Sequence, residues 1–257
     1  MDAGMSEEQH RVSARLNAFL AARGLEPLDS ALAARFEDYL SLLLRWNVRV
    51  NLTAIRDEEG ILSRHFVESI LCARALPAGI ATLLDFGSGA GFPGIPIALC
   101  RPEIAVTLAE SQGKKAAFLS EAVRQLGLAA KQTADRLDPE GAVDTEGGGG
   151  FNPRMTPAET VGALAPAGCS VYSGRAETLT AKFDCVTLRA VDKMERAVQS
   201  AAKLVRPGGW LALMTTGKEL DALKAGAVAE FTWRGALPLP GGDRLLALGE
   251  RRISSPA

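Results

Sequence analysis

The residues Asp85-Phe86-Gly87-Ser88-Gly89-Ala90-Gly91-Phe92-Pro93-Gly94 carry the densest chemical signal in the chain. They follow an apolar run, Thr82 to Phe86, that reads as a buried strand, and they open a helix. Glycines let the backbone turn sharply and leave room for a ligand to lie against it. A bend of this kind is the mononucleotide-binding edge of a doubly wound sheet. Two cofactors compete for it. Gly89-x-Gly91-x-x-Gly94 formally matches the dinucleotide fingerprint. Against NAD, the glycines begin at Gly87, directly after the strand. Pro93 and Pro96 also remove N–H donors where a pyrophosphate needs them. The pattern therefore favours S-adenosylmethionine, with an NAD-dependent oxidoreductase as the alternative. Glu110 closes the second strand, where a carboxylate can accept both ribose hydroxyls of either cofactor. Asp85 has two readings: merely satisfying N–H groups of the loop, or a functional role in holding the loop or balancing positive charge on the cofactor.

Two later segments extend the site. Gly174-Arg175-Ala176-Glu177 follows the third strand, where backbone and the Glu177 carboxylate can read an adenine ring. Thr187-Leu188-Arg189-Ala190 ends the fourth strand, where methyl donor and acceptor must meet. Arg189 is the candidate catalytic residue; its other reading is a salt-bridging arginine at a strand end. No nucleophile–base pair is evident. The four cysteines (Cys72, Cys100, Cys169, Cys185) have no close spacing, and there are only two histidines, His10 and His65. No metal site is expected, and the cysteines are expected to be reduced.

The elements that position these groups follow from periodicity. Ser6-Glu7-Glu8-Gln9 has the capping-box pattern for a first helix. A second helix spans roughly Ser30 to Trp46, with Leu32, Phe36, Tyr39, Leu40 and Leu43 on one face. Asp57 can cap a third that ends before Pro77. Residues 1–76 thus read as a helical subdomain and 77–257 as the cofactor-binding domain. From Ala81 onward strands and helices alternate, which implies a mostly parallel α/β sheet with helices on both faces. Phe231–Leu237 and Arg244–Leu248, around a Pro/Gly turn, read as a closing antiparallel hairpin. Residues 131–168 are rich in glycine and proline and read as a disordered insertion; the alternative is a lid.

Bulk properties exclude little. The chain has 257 residues, of which 47% are hydrophobic and 23% charged, as expected of a globular protein with a sizeable core. A net charge of -1 means that any RNA contact must rest on a local basic patch. No signal peptide or membrane-spanning run is evident, so a cytoplasmic protein is expected.

Several segments taken together resemble one family. They are Trp46-Asn47-x-x-x-Asn51-Leu52-Thr53, Arg64-His65 with Ser69, Gly87 to Pro96, Gly113-Lys114-Lys115 with Phe118-Leu119, Gly174 to Glu177, and Arg189-Ala190. The combination resembles the RsmG family, also called glucose-inhibited division protein B, the bacterial 16S rRNA guanine-N7 methyltransferases. The resemblance covers about residues 30 to 250 without the insertion. It implies a Rossmann-like class I methyltransferase fold, S-adenosyl-L-methionine as cofactor, and 16S rRNA or the small ribosomal subunit as partner of a monomer. It places cofactor contacts on Gly87, Gly89, Phe92, Glu110, Ala176, Glu177 and Arg189. RNA contacts would fall on Asn47, Asn51, Arg64, His65, Lys114 and Lys115, with Arg45, Arg49 and Arg56 as further candidates for phosphate. The chain departs from the family in three places, one of them the insertion at 131–168. Glu68 stands where the family usually has Asp, and Thr215-Thr216 stand where it has a lysine. A methyltransferase for another substrate and a non-enzymatic RNA-binding factor are the competing readings.

Overall fold

The computed structural model describes residues 3–129, 167–190, 193–226, 228–240 and 242–253, with side chains from residue 12 onward. The segment 131–168 therefore lies outside the described residues, apart from Ala167 and Gly168. Helix α1 (Ala3–Ala21) begins three residues before Ser6, so Ser6 lies inside the helix rather than at its cap. Helix α2 (Ser30–Val50) starts where the Asp29 side chain accepts from the Leu32 N–H at 2.8 Å, which satisfies a free helix-end donor. It stops at Asn51, whose backbone turns left-handed with φ 50°. Short α3 (Glu58–Gly60) is capped by Asp57 and runs through a π-helical stretch, Ile61–Phe66, into α4 (Val67–Ala75). The π geometry departs from the ordinary helix expected there. Such stretches are rare and frequent at functional sites; this one carries Arg64 and His65.

The remainder alternates as the hydrophobic pattern requires: β1 (Thr82–Phe86), α5 (Gly94–Cys100), β2 (Ala105–Glu110), α6 (Gly113–Gln125), β3 (Cys169–Ser173), β4 (Phe183–Arg189), α7 (Met194–Leu204), β5 (Val205–Thr216), α8 (Gly217–Ala225), β6 (Phe231–Trp233), β7 (Leu237–Pro238) and β8 (Arg244–Arg251). The sheet order is β3-β2-β1-β4-β5-β8-β6, and β7 also pairs with β8. Strands β1 to β5 are mutually parallel, and β8 runs antiparallel to β5 and β6. The expected closing antiparallel pair is thus present. The chain order reverses between β1 and β4, which creates the crevice where ligands of open α/β sheets bind.

Side chains alternate across the sheet, so successive residues enter different cores. Leu83 packs with α5, α6 and the N-terminal helices; Leu84 packs with α7 and α8 on the other face. Phe36, Tyr39, Phe66 and Ile70 belong to the same apolar cluster as Ile95 and Leu108. The N-terminal helices are therefore seated on the sheet and reach its cofactor loop.

Candidate active site

The glycine bend is built by local conformation and held by distant side chains. Gly87, Gly89 and Gly91 have φ of 74°, 57° and 90°, a region that residues with a Cβ rarely adopt. Gly94 is needed for close packing, since a Cβ there would meet Leu108 at 2.3 Å and Asp85 at 2.7 Å. Asp85 is 1% exposed. One of its oxygens accepts from the Gly94 N–H at 3.1 Å, and the other from the Thr187 hydroxyl at 2.9 Å. Burial raises its pKa to about 6, against the pull of these bonds. These bonds satisfy a loop N–H and tie the loop to β4. A second brace comes from α2, where the Tyr39 hydroxyl donates to the Ala90 carbonyl at 2.5 Å.

These contacts decide which cofactor the bend suits. Pro93 and Pro96 have no N–H. The Gly94 N–H is taken by Asp85, and the Ile95 N–H by the Gly91 carbonyl at 2.8 Å. The first turn of α5 thus has no donor left for a pyrophosphate. Glu110 lies at the end of β2, buried, and is aimed by bonds from the Gly89 N–H (2.9 Å) and the Gln112 N–H (2.8 Å). A carboxylate has lone pairs beyond these two, so a ribose diol can still be bound. A Cβ built on Gly89 would meet nothing closer than 3.9 Å, so one face of the bend is open beside that carboxylate. The residues present fit an adenosyl group without a pyrophosphate. Ala176 and Glu177 sit in a single 3-10 turn after β3; Ala176 is buried, and Glu177 is exposed at the same edge.

A charged cluster closes the other side. Arg189, 7% exposed, ends β4. Its Nη2 lies 2.9 Å from Glu68 Oε2, 2.7 Å from His65 Nδ1 and 3.0 Å from the Arg64 carbonyl. The next residue, Ala190, is held at φ 49°, a strained value for a residue with a Cβ. A guanidinium only donates, so His65 Nδ1 accepts and its ring proton lies on Nε2, donating to Thr53 Oγ1 at 2.7 Å. His65 stays neutral, because burial and then Arg189, Arg244 and Arg64 lower its pKa to about 3. Its ring stacks on Phe92 at 4.8 Å between centroids. Glu68 is fully buried and also pairs with Arg244 at 3.2 Å.

Gly87, Gly89, Glu110, Ala176 and Glu177 come together at one edge of the sheet, at or just after the ends of β1, β2 and β3. Phe92 packs inward on Tyr39, Phe66 and His65. Asn47 is buried and exchanges two bonds with the Thr53 backbone, at 2.9 and 3.2 Å, so it braces the turn that carries Thr53 to His65. Asn51 caps α2 and accepts from Arg56 at 3.1 Å. Trp46 packs edge-on against Phe118, where α2 meets α6. Lys114 and Lys115 open α6 with no ion pair among the described residues. Sequence reasoning missed Tyr39 and Arg244 as parts of the site, named Thr187 only as part of a strand end, and noted Glu68 only as a departure. An acid inside the apolar run Phe66-Val67-Glu68-Ser69-Ile70 was the available signal, because such a group needs a partner.

A reversed parallel sheet, a glycine bend, a strand-end carboxylate and a helix start without free donors define a class I, S-adenosylmethionine-dependent methyltransferase. The family model for rRNA small subunit methyltransferase G (GidB) matches residues 32–145. A protein of that name from Xanthomonas euvesicatoria is 36% identical over 220 residues, covering 84% of each chain. Another from Stenotrophomonas maltophilia is 37% identical over 248 residues, covering 94% of this chain and 93% of the relative. The chain belongs to this family.

Proposed function

We propose that the protein transfers the methyl group of S-adenosylmethionine to N7 of a guanine in 16S rRNA. The observation that carries this reading is the meeting, at one sheet edge, of the glycine bend with the Arg189 cluster, with no nucleophile–base pair there among the described residues. Guanine N7 has a lone pair and no proton, so attack needs no base. The bound cofactor supplies an activated methyl on sulfonium. What remains for the chain is alignment, which can account for about 7–11 kcal/mol of barrier lowering. Glu110 and the bend hold the nucleoside end. Arg189, fixed by Glu68 and His65, has an Nη1 with no partner among the described residues, and it donates to guanine O6.

N7 and O6 lie on the major-groove edge, which side chains cannot read in an RNA helix. The target guanine is therefore unpaired or flipped. Lys114, Lys115 and Arg64 serve phosphates, and the protein works as a monomer in the cytoplasm. Among the described residues no helix is long and apolar enough to cross a membrane. Mapping N7-methylguanosine in 16S rRNA from cells with and without the protein tests the reading. One position should lose the mark without it; an unchanged map refutes the substrate.

A further inference from the structure

The C-terminal edge of the sheet holds a cation that the reading above leaves without a task. Arg244 opens β8 and pairs in register with Thr216, the last residue of β5. Because β8 runs antiparallel to β5, the start of β8 lies at the same edge as the ends of β1 and β4. Thr215 and Thr216 bring no charge here. Both hydroxyls bond Glu219, and Thr216 caps α8. Arg244 crosses instead to Glu68, its side chain 17% exposed.

Among the described residues, Glu68 is the only acid within ion-pair distance of either Arg189 or Arg244. Arg64 lies close by on the π-helical stretch. Two of the three guanidinium groups share this one ion-pair partner beside a neutral His65, while Asp243 and Glu219 act on Arg244 only from farther away. Donors are left over as well. The Nε atoms of Arg64 and Arg189 are buried without partners, against one unpartnered acceptor, Glu68 Oε1, and only one nitrogen of Arg244 is engaged. Buried donors of this kind are costly unless something accepts from them. A group with several anionic oxygens satisfies both the charge and the donors, and guanidinium forks match phosphate geometry.

We propose that Arg244 binds a backbone phosphate of the target RNA beside the modified guanine, as the second arm of a clamp with Arg189 that Glu68 holds at fixed spacing. This rests on the RNA-methylation reading above. It makes Arg244 a substrate-positioning group that the cofactor does not touch.

The test compares wild type, Arg244→Gln and Arg244→Lys in methyl transfer to 16S rRNA or small subunits across a salt series. Arg206→Gln is the control; Arg206 is 54% exposed and paired with Asp184 near the opposite strand ends. Arg244→Gln should raise the KM for RNA about tenfold, as expected for losing a charged hydrogen bond. S-adenosylhomocysteine affinity and the melting temperature should change little. The slope of log KM against log salt should fall by about 0.7, one single-strand phosphate. Arg244→Lys should retain the slope, and Arg206→Gln should match wild type. An active wild type with an unaltered slope in Arg244→Gln overturns the clamp alone, as does a parallel loss of cofactor binding. A wild type that methylates no RNA overturns the substrate reading and the clamp with it.

Discussion

Replacing Asp85 with Asn should stabilise the cofactor-free protein, by an amount that grows with pH. The side chain is 1% exposed, and its pKa rises from the ordinary 3.8 to about 6. At 1.36 kcal/mol for each pKa unit, keeping it ionised at pH 7 costs about 3 kcal/mol. The sign follows from linkage. Between these two values the folded state binds more protons than the unfolded one, so stability falls as pH rises through that window. The penalty is complete above about pH 6 and absent below 3.8. Asn keeps the shape and the bonds. Its oxygen can accept from the Gly94 N–H, and its amide can donate to Thr187 Oγ1. The Thr187 proton then turns to the Leu84 carbonyl, 3.4 Å away. Urea unfolding of both proteins at pH 5 and pH 7.5 isolates this group, because every other titration is shared. The variant's advantage should grow by about 1.5 kcal/mol between the two pH values, or about 3–6 °C in melting temperature for a chain of this length. An advantage that does not change with pH, or a variant less stable at both, would refute the reasoning.

Three further outcomes are expected. Tyr39→Phe leaves the Ala90 carbonyl without its donor; S-adenosylhomocysteine binding should weaken about fivefold for a bond worth about 1 kcal/mol, and unaltered calorimetric affinity would remove α2 from the cofactor site. Glu68→Gln removes the carboxylate that pairs with both Arg189 and Arg244 and should cost about 3–5 kcal/mol in denaturant unfolding; a loss below 1 kcal/mol would show that solvent already screens the cluster. His65 has its pKa lowered to about 3, so its neutral form contributes stability that is full above the ordinary 6.5 and lost as pH falls below it. Its ring NMR shifts should stay flat from pH 5 to 8, and a midpoint near 6.5 would contradict the Arg189–His65–Thr53 chain.

The sequence by itself determined whatever depends on local conformation or strict periodicity. Gly87, Gly89 and Gly91 announced the bend because left-handed backbone is a property of single residues. The α/β alternation, the place of Glu110 at a strand end and the closing antiparallel strands were legible from hydrophobic period and turn residues. The start of α1 and the π geometry at Ile61–Phe66 were not, because apolar spacing does not encode which carbonyl an N–H selects. Tertiary structure alone decided how the site is held. Tyr39 meets Ala90 across 51 positions, and Arg189 meets Glu68 across 121. Such pairs have no periodic trace in the chain, because each exists only once the sheet has placed its strand ends beside helices from a remote segment. Asn47 and His65 show the same division. Their motif marked them as important, but only packing revealed that both brace Arg189's surroundings from inside.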